Sequence, residues 1–356
     1  MTRIPRPFPP VLGLLLGLAC APPGPALPPE EAVKVPGDGN VVVYVEAPRY
    51  LVAPVLKTFS EQTGITVQAT YREQVAGEFL DTVRTAAAAG KADLFVSVSP
   101  LSAIALARAD LAVPFRPLGA RPIPTQYHDF GFRWIGFAVN PRVIIYNRDA
   151  VSREEAPQSI DELVEGRWAG KGALAGLAIG TSAFQAATLF AHWGDEKARA
   201  YFDSVQKAGN RIVSGDEEVR RLVAAGDVPW GIVDLDRAIC AKRQADPINI
   251  SFPDRLGIGA VMVPETVVLL KGAPDPAQAR GLFAYLFATE TAWQVGQNDC
   301  ALMSLMPVVA MGIPKPDWVP VLGSVNILSL DNDLVYDAWI RNRDYLSAWG
   351  QAAAPH

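Results

Sequence analysis

The sequence predicts an α/β protein made of two lobes, and two observations carry this prediction. A length of 356 residues corresponds to about two domains, each able to bury its own core. Strand and helix patterns alternate over residues 41–109, and a second alternation covers residues 159–254. Such alternation is typical of parallel sheets covered by helices. Two lobes of this kind, joined by more than one crossing of the chain, would form a cleft that opens and closes by hinge motion.

The start of the chain is predicted to be an export signal followed by a tether. Arg3 and Arg6 precede nine apolar residues at 11–19, which is the length of a signal-peptide core and short of the roughly 20 residues of a membrane-spanning helix. The end of this run resembles a bacterial lipoprotein cleavage box, so residues 1–20 are predicted to be a lipoprotein signal peptide with Cys20 as the lipidated residue. Ordinary cleavage after Ala21 is the alternative. Residues 21–39, rich in Pro and Gly, predict a stiff, extended tether.

The elements of the first lobe follow from their apolar periodicity. Val41 to Val45 is a β-branched run that fits a buried strand, and the apolar face of the next helix covers residues 51–59 before Gly64 ends it. The later elements are predicted as a strand at 65–71, a helix at 78–89, a strand at 92–98 and a helix at 99–109. A proline at position 100 suits the first turn of that last helix.

The pattern then changes to crossover segments and a second α/β unit. Residues 134–139 and 143–147 are predicted as two short strands, separated by Asn140-Pro141. In the second unit we predict helices near 159–165, 182–193, 195–208, 215–225 and 237–245, and strands near 174–179, 211–213, 230–233 and 248–252. Strand character returns at 258–270, helices follow near 276–287 and 289–298, and a last helix covers 332–349. The predicted domains are lobe 1 at 40–140 plus about 258–310, lobe 2 at 141–257, and a C-terminal helical segment at 311–356.

Composition excludes several functional classes. A charged fraction of 19% with 50% hydrophobic residues is not that of a disordered chain, and the net charge of −5 argues against a nucleic-acid binder. Loss of the signal segment with its two arginines makes the chain still more acidic. Three Cys and three His residues support neither a disulfide scaffold nor a Cys-rich or His-cluster metal site. No Ser-His-Asp order is present, and the glycines at 166–172 lack the spacing of a phosphate loop. We therefore predict no enzyme activity and no cofactor.

Several motifs, in order along the chain, resemble those of periplasmic solute-binding proteins of ABC importers, in the branch associated with ferric iron, thiamine and phosphonate uptake. After Tyr44, the segments that carry this resemblance are 59–67 (FSEQTGITV), 92–95 (ADLF), 179–183 (IGTSA), 192–198 (HWGDEKA), 233–238 (VDLDRA), 252–254 (FPD) and 263–274 (VPETVVLLKGAP). They extend from about residue 41 to about residue 310. The resemblance implies a two-lobed type II binding-protein fold with the ligand between the lobes.

The resemblance also implies a role. The protein would be an extracytoplasmic monomer that captures a small molecule or ion and delivers it to an ABC permease in the inner membrane, with membrane contact through the lipid anchor. A phosphonate, a phosphorylated compound or a carboxylate is the expected ligand. The alternatives are a ferric ion held with a synergistic anion, and a ligand-sensing domain for a signalling partner.

The first lobe offers candidate ligand residues where its strands end, because ligands of open α/β sheets lie outside the carboxyl ends of strands. This rule nominates Tyr44 and Arg49 near the end of the first strand, Arg72 after the second and Ser99 after the third. The alternatives are a core position for Tyr44 and solvated side chains for the two arginines.

The second lobe offers a small-residue turn that begins a helix, Gly180-Thr181-Ser182. Backbone N–H groups at a helix start form an anion site, and the two hydroxyls can add hydrogen bonds. The alternative is an ordinary helix cap, which Thr and Ser favour in any case. The family's use of this turn for anions favours the ligand site.

A second candidate segment in this lobe contains Asp234, Asp236 and Arg237, which follow a strand and begin a helix. Ferric-binding members place adjacent tyrosines about here, and this chain has no Tyr-Tyr pair. An arginine at this place would repel Fe³⁺ and attract an anion. Cys240 and Cys300 fall in different predicted lobes. In an oxidising compartment they either remain separate or form a bond that would restrain the hinge.

Overall fold

The structure is a computed structural model that describes residues 30–31, 38–72, 78–308, 310–312 and 319–351. The predicted signal peptide with Cys20 lies outside the described residues, as does most of the predicted tether. In the described part of the chain, no helix has both the length and the apolar character needed to cross a membrane.

The first lobe begins with a parallel sheet, and its strand–helix alternation confirms the predicted fold class. Its elements are β1 (Glu30–Glu31), β2 (Asn40–Glu46), α1 (Arg49–Thr63), β3 (Thr66–Tyr71), α2 (Glu78–Ala88), β4 (Leu94–Ser97), α3 (Pro100–Arg108) and β5 (Arg116–Pro117). Strand β2 pairs in parallel with β3 and with β4, and β1 pairs with β5. Helix α1 ends at Gly64, which adopts the left-handed conformation that favours glycine, with φ 77°.

One long strand, β6 (Ile135–Asn147), connects the two lobes. The sequence predicted two short strands here, and that prediction was wrong: all 13 residues are extended and buried. Pro141 is tolerated because the strand changes partner beside it. Pro141 is the last residue that pairs with the returning strand, and Arg142 is the first that pairs with the second lobe.

The second lobe contains β7, β8 and β9 in a parallel arrangement, with β6 and β10 antiparallel at one side. Its elements are β7 (Gly172–Ala175), α4 (Gly180–Trp193), α5 (Asp195–Lys207), β8 (Arg211–Val213), α6 (Asp216–Ala225), β9 (Trp230–Asp234), α7 (Leu235–Arg243) and β10 (Ile248–Ser251). Short 3₁₀ turns lie outside these sheets, at Leu118–Ala120, Thr125–Tyr127, Ile160–Leu163 and Gly166–Trp168.

The chain then returns to the first lobe. Strand β11 lies antiparallel between β4 and β6, so the sheet order is β3-β2-β4-β11-β6-β9-β7-β8. The remaining elements are β11 (Ala260–Leu269), α8 (Pro276–Tyr285), α9 (Thr289–Gln297), β12 (Met303–Ser304), β13 (Ile327–Leu328) and α10 (Asn332–Gln351). The two lobes are thus continuous through β6, while the predicted domain boundaries stay a prediction.

The helices cover both faces of this sheet with separate apolar cores. Buried side chains of α1, α6, α7, α8 and α9 share one core, and those of α2, α3, α4, α5 and α10 share the other. Helix α10 lies across both lobes, because Arg108 of α3 forms ion pairs with Asp333 and Asp337, and Asn342 donates to Asp195 at the start of α5.

A disulfide joins Cys240 of α7 to Cys300, which follows α9, with the two Cα atoms 4.5 Å apart. Of the two alternatives that the sequence left open, the structure has the bonded one.

Candidate functional site

A cavity of about 60 Å³ lies between the lobes, where several helices begin. The first turns of α1, α4, α6 and α7 line it, together with the end of β2 and the crossing strand β6. The polar side chains among its lining residues are Glu46, Asn140, Thr181, Ser182, Ser214, Asp216, Asp234, Asp236 and Arg237. The cavity therefore combines groups from both lobes.

Three of the helix starts at this cavity have no side-chain caps. In α1, α4 and α6 the side chain of the cap residue accepts no hydrogen bond from a first-turn amide, whereas in α7 the Asp236 amide donates to the side chain of Asn140. Helix α3, which begins outside the cavity, is capped by Ser99 instead. Gly180 adopts φ 66°, and a Cβ placed there would meet no heavy atom within 4 Å, so the start of α4 borders open space. Uncapped amides at a positive helix end favour an anion.

The buried side chain of Arg142 connects several of the residues that line the cavity. Its side chain is 1% exposed, and its guanidinium contacts Asp216 and, at 2.7 Å, Asp234. It also donates to the hydroxyls of Thr181 (3.1 Å) and Ser182 (3.3 Å). One buried cation therefore organises the starts of α4, α6 and α7 around itself.

Burial and pairing determine the charge of this network. Burial raises the pKa of Asp234 to about 7, although Arg142 opposes this shift. Burial by itself would lower the pKa of Arg142, but the adjacent carboxylates of Asp216 and Asp234 hold this pKa above its ordinary value. At neutral pH the arginine is charged and Asp234 is partly protonated, which weakens the repulsion of an incoming anion.

Two further acids belong to this region, the half-buried Glu46 that lines the cavity and the buried Glu265. Burial raises the pKa of Glu46, which accepts a hydrogen bond from Ser97 at 2.8 Å. Glu265 on β11 is fully buried, and its pKa is raised by burial and by Asp236 and Asp234. Both side chains are thus shifted toward the neutral acid, and a neutral acid can donate a hydrogen bond.

The start of α7 connects the lobes. Tyr50 of α1 donates to Asp236 at 2.6 Å, and Asn140 donates to the other carboxyl oxygen at 3.0 Å. The guanidinium of Arg237 lies 5.1 Å from the centre of the Tyr50 ring, and one of its nitrogens is 3.6 Å from Glu217. Arg237 therefore lines the cavity in a geometry set by both lobes.

The structure brings together the predicted residues of the second lobe: Gly180, Thr181, Ser182, Asp234, Asp236 and Arg237 all line the cavity. Those of the first lobe lie elsewhere. The ring of Tyr44 lies 5.9 Å from that of Phe79, and Tyr44 precedes the end of β2, which Glu46 occupies.

The other first-lobe residues also lie outside the cavity. Arg49 is exposed and lies 5.3 Å from the ring of Tyr71, and Arg72 is exposed and donates to the Tyr71 carbonyl. Ser99 caps α3 by accepting from the Leu101 amide. Both arginines contact Tyr71, so their proximity in sequence to a strand end did not place them in the site.

Sequence reasoning missed Glu46, Asn140, Arg142 and Asp216. A signal existed for Arg142, because a single arginine in an otherwise apolar run must find partners when the run is buried. Those partners lie 74 and 92 residues further along the chain, so the sequence alone does not identify them. Among the described residues, no group of three or more His, Cys, Asp or Glu side chains is placed to hold a metal ion.

Comparisons with known proteins agree with this architecture. Residues 55–307 match a family model described as bacterial extracellular solute-binding protein. The Fe(3+)-binding periplasmic protein of Serratia marcescens is 26% identical over 196 residues, which are 55% of this chain and 57% of that protein. The chain thus aligns with somewhat more than half of that relative's length.

Solved structures show the same fold. The apo ferric ion-binding protein A of Pasteurella haemolytica superposes with a TM-score of 0.75 at 22% identity, over 87% of this chain and 98% of that one. The periplasmic binding protein AfuA of Actinobacillus pleuropneumoniae, with exogenous fructose-6-phosphate bound, gives 0.73 at 18% identity, over 88% and 99%. Both comparisons support a two-lobed binding-protein architecture.

Proposed function

Because the chain belongs to the bacterial extracellular solute-binding protein family, we propose that it is the solute-binding component of an ABC importer. It captures a small anion between its lobes, outside the cytoplasm, and delivers it to a permease. Phosphonates, phosphorylated compounds and carboxylates are the ligand classes that its cavity suits.

The observation that carries this proposal is the convergence of three uncapped helix starts, those of α1, α4 and α6, on one cavity beside Arg237. Each helix start contributes about half a positive charge. The carboxylates nearby already have donors: Asp216 and Asp234 receive hydrogen bonds from Arg142, and Asp236 from Tyr50 and Asn140. The first-turn amides of α4 then remain to receive an anion.

Closure follows from the division of the site between lobes. The starts of α4, α6 and α7 belong to lobe 2, whereas Glu46 and the start of α1 belong to lobe 1. A ligand stabilises the closed form only by the contacts that it gains there. An anion on α4 that also meets α1 satisfies this condition, and the closed form is the one that would dock on the permease.

The test is calorimetric titration with inorganic phosphate, methylphosphonate and citrate, together with mass spectrometry of the ligand released from the purified protein. Arg237→Ala should weaken binding of the preferred anion by roughly tenfold or more, because a charge-assisted hydrogen bond contributes about 1.5–3 kcal/mol. Arg280→Ala is the matched control, since Arg280 also lies 5.1 Å from an aromatic ring, that of Phe115 in the core. Equal affinities for the two variants would refute the role of Arg237.

A ferric ion held with an anion is the second candidate, and the names of the similar iron-binding proteins favour it. Carboxylates line the cavity, and Tyr50 lies against Asp236 at its edge. Protein incubated with ferric citrate should then gain a visible phenolate–iron band, which Tyr50→Phe removes. Binding of iron-free phosphate without any such band would favour the anion.

Membrane attachment is a separate part of the proposal. Cys20 would carry the lipid that retains the protein at the membrane. Cys20→Ser should move the protein from the membrane fraction to the soluble fraction, and an unchanged distribution would contradict lipidation at this residue.

A further inference from the structure

We propose that the Cys240–Cys300 disulfide is a covalent pivot at one edge of the cleft, which limits how far the unliganded lobes separate. Cys240 lies on α7 of lobe 2, the helix whose first turn places Asp236 and Arg237 in the cavity. Cys300 follows α9, which packs on α1 of lobe 1 through the hydrogen bond from Gln294 to Thr58. The bond therefore connects the two lobes independently of the ligand's identity.

Other contacts gather at the same edge. Asn298 donates to the backbone carbonyl of Tyr50 at 2.8 Å, and the Tyr50 hydroxyl donates to Asp236. Arg243, one turn beyond Cys240, lies 3.5 Å from Asp299. Helices α1, α7 and α9 thus meet around the disulfide and share one apolar core.

The bridge on the opposite face of the sheet is of a different kind. There, α10 contacts lobe 1 without a covalent bond, through the apolar core that it shares with α3 and through the ion pairs of Arg108 with Asp333 and Asp337, whose side chains are between 38% and 56% exposed. Exposed ion pairs contribute little to stability, because solvent and salt screen them. These contacts can break when the cleft opens, whereas a disulfide holds the Cα atoms of Cys240 and Cys300 at 4.5 Å throughout. The cleft therefore opens by rotation of one lobe relative to the other about the edge that holds the disulfide. The lobes separate less than they would if β6 alone connected them.

The test is small-angle X-ray scattering of the full mature chain, which is first dialysed into phosphate-free buffer. The oxidised protein is compared with protein reduced by a phosphine and with the Cys240→Ser/Cys300→Ser double variant. The reduced protein and the double variant, which both lack the bond, should show the same larger radius of gyration, with unchanged far-ultraviolet circular dichroism. Rejoining the reduced thiols through a single methylene group should restore the smaller radius. Arg108→Ala, which leaves the covalent edge intact, should change the radius less than reduction does.

A disulfide that only stabilises the fold would behave differently. Its removal would lower the urea midpoint and leave the radius of the folded protein unchanged, and that result would overturn the proposal. Unfolding upon reduction would overturn it as well, because the bond would then maintain the fold instead of setting the opening.

Discussion

Replacing Arg142 by Met tests whether one buried cation maintains the ligand cavity. The side chain is 1% exposed, and it neutralises Asp216 and Asp234 while donating to Thr181 and Ser182. Met fills much of the same space but leaves both carboxyl groups buried without their cation. Removal of one partner from a buried ion pair costs about 3–5 kcal/mol, so we expect the free energy of unfolding to fall by this amount at pH 8.

Urea unfolding followed by circular dichroism measures the loss, and Arg108→Met is the matched control. Arg108 also pairs with two carboxylates, Asp333 and Asp337, but at the surface, so its loss should amount to about 1–2 kcal/mol at most. At pH 5 the cost of Arg142→Met should shrink, because burial raises the pKa of Asp234 and this carboxyl group can take up a proton. Equal losses for the two variants, or a loss for Arg142→Met that is the same at both pH values, would refute this reasoning.

Two further predictions concern single residues of the cavity. Because the pKa of Asp234 is raised from 3.8 to about 7, the folded state keeps a proton that the unfolded state releases, so stability decreases between about pH 4 and pH 7. Urea unfolding across this range should show that Asp234→Asn removes up to about 4 kcal/mol of the decrease, and parallel curves for variant and parent would contradict the shift. Gly180→Ala should lower the free energy of unfolding by about 1–2 kcal/mol, because Gly180 has a φ of 66° that alanine adopts only with strain. Gly296 lies inside α9 and likewise has no neighbour within 4 Å of an added Cβ, so Gly296→Ala should raise the free energy of unfolding by about 0.5–1 kcal/mol. Changes of the same sign in both variants would count against backbone strain at Gly180.

Much of the fold was predictable because its signals are local. The β-branched run of β2 and the apolar face of α1, with Gly64 as its stop, each depend on residues within one or two turns. The break at Asn140-Pro141 was misjudged because proline interrupts a strand only where its missing N–H is needed. Here the change of partner from β11 to β9 at this position removes that requirement.

The site was predictable in lobe 2 and not in lobe 1, for a physical reason. The start of α4 and the start of α7 are short motifs that carry their own helix geometry, so residues such as Thr181 and Asp236 could be assigned to the cavity. In lobe 1 the choice between Tyr44 and Glu46 depends on where β2 ends relative to its neighbours. That register is set by pairing with β4, about 50 residues away, and not by the strand's own sequence.

The proposal of an anionic ligand rests on pairing within the cavity and not on composition. The chain is acidic overall, with a net charge of −5, and acidic side chains line the cavity itself. Yet Arg142 pairs with Asp216 and Asp234, and Tyr50 and Asn140 donate hydrogen bonds to Asp236. Burial raises the pKa of Glu46 and so shifts it toward its neutral form. The same carboxylates would become available to a ferric ion only if these donors were displaced. An anion needs no such rearrangement, because the uncapped amides at the start of α4 already border the cavity.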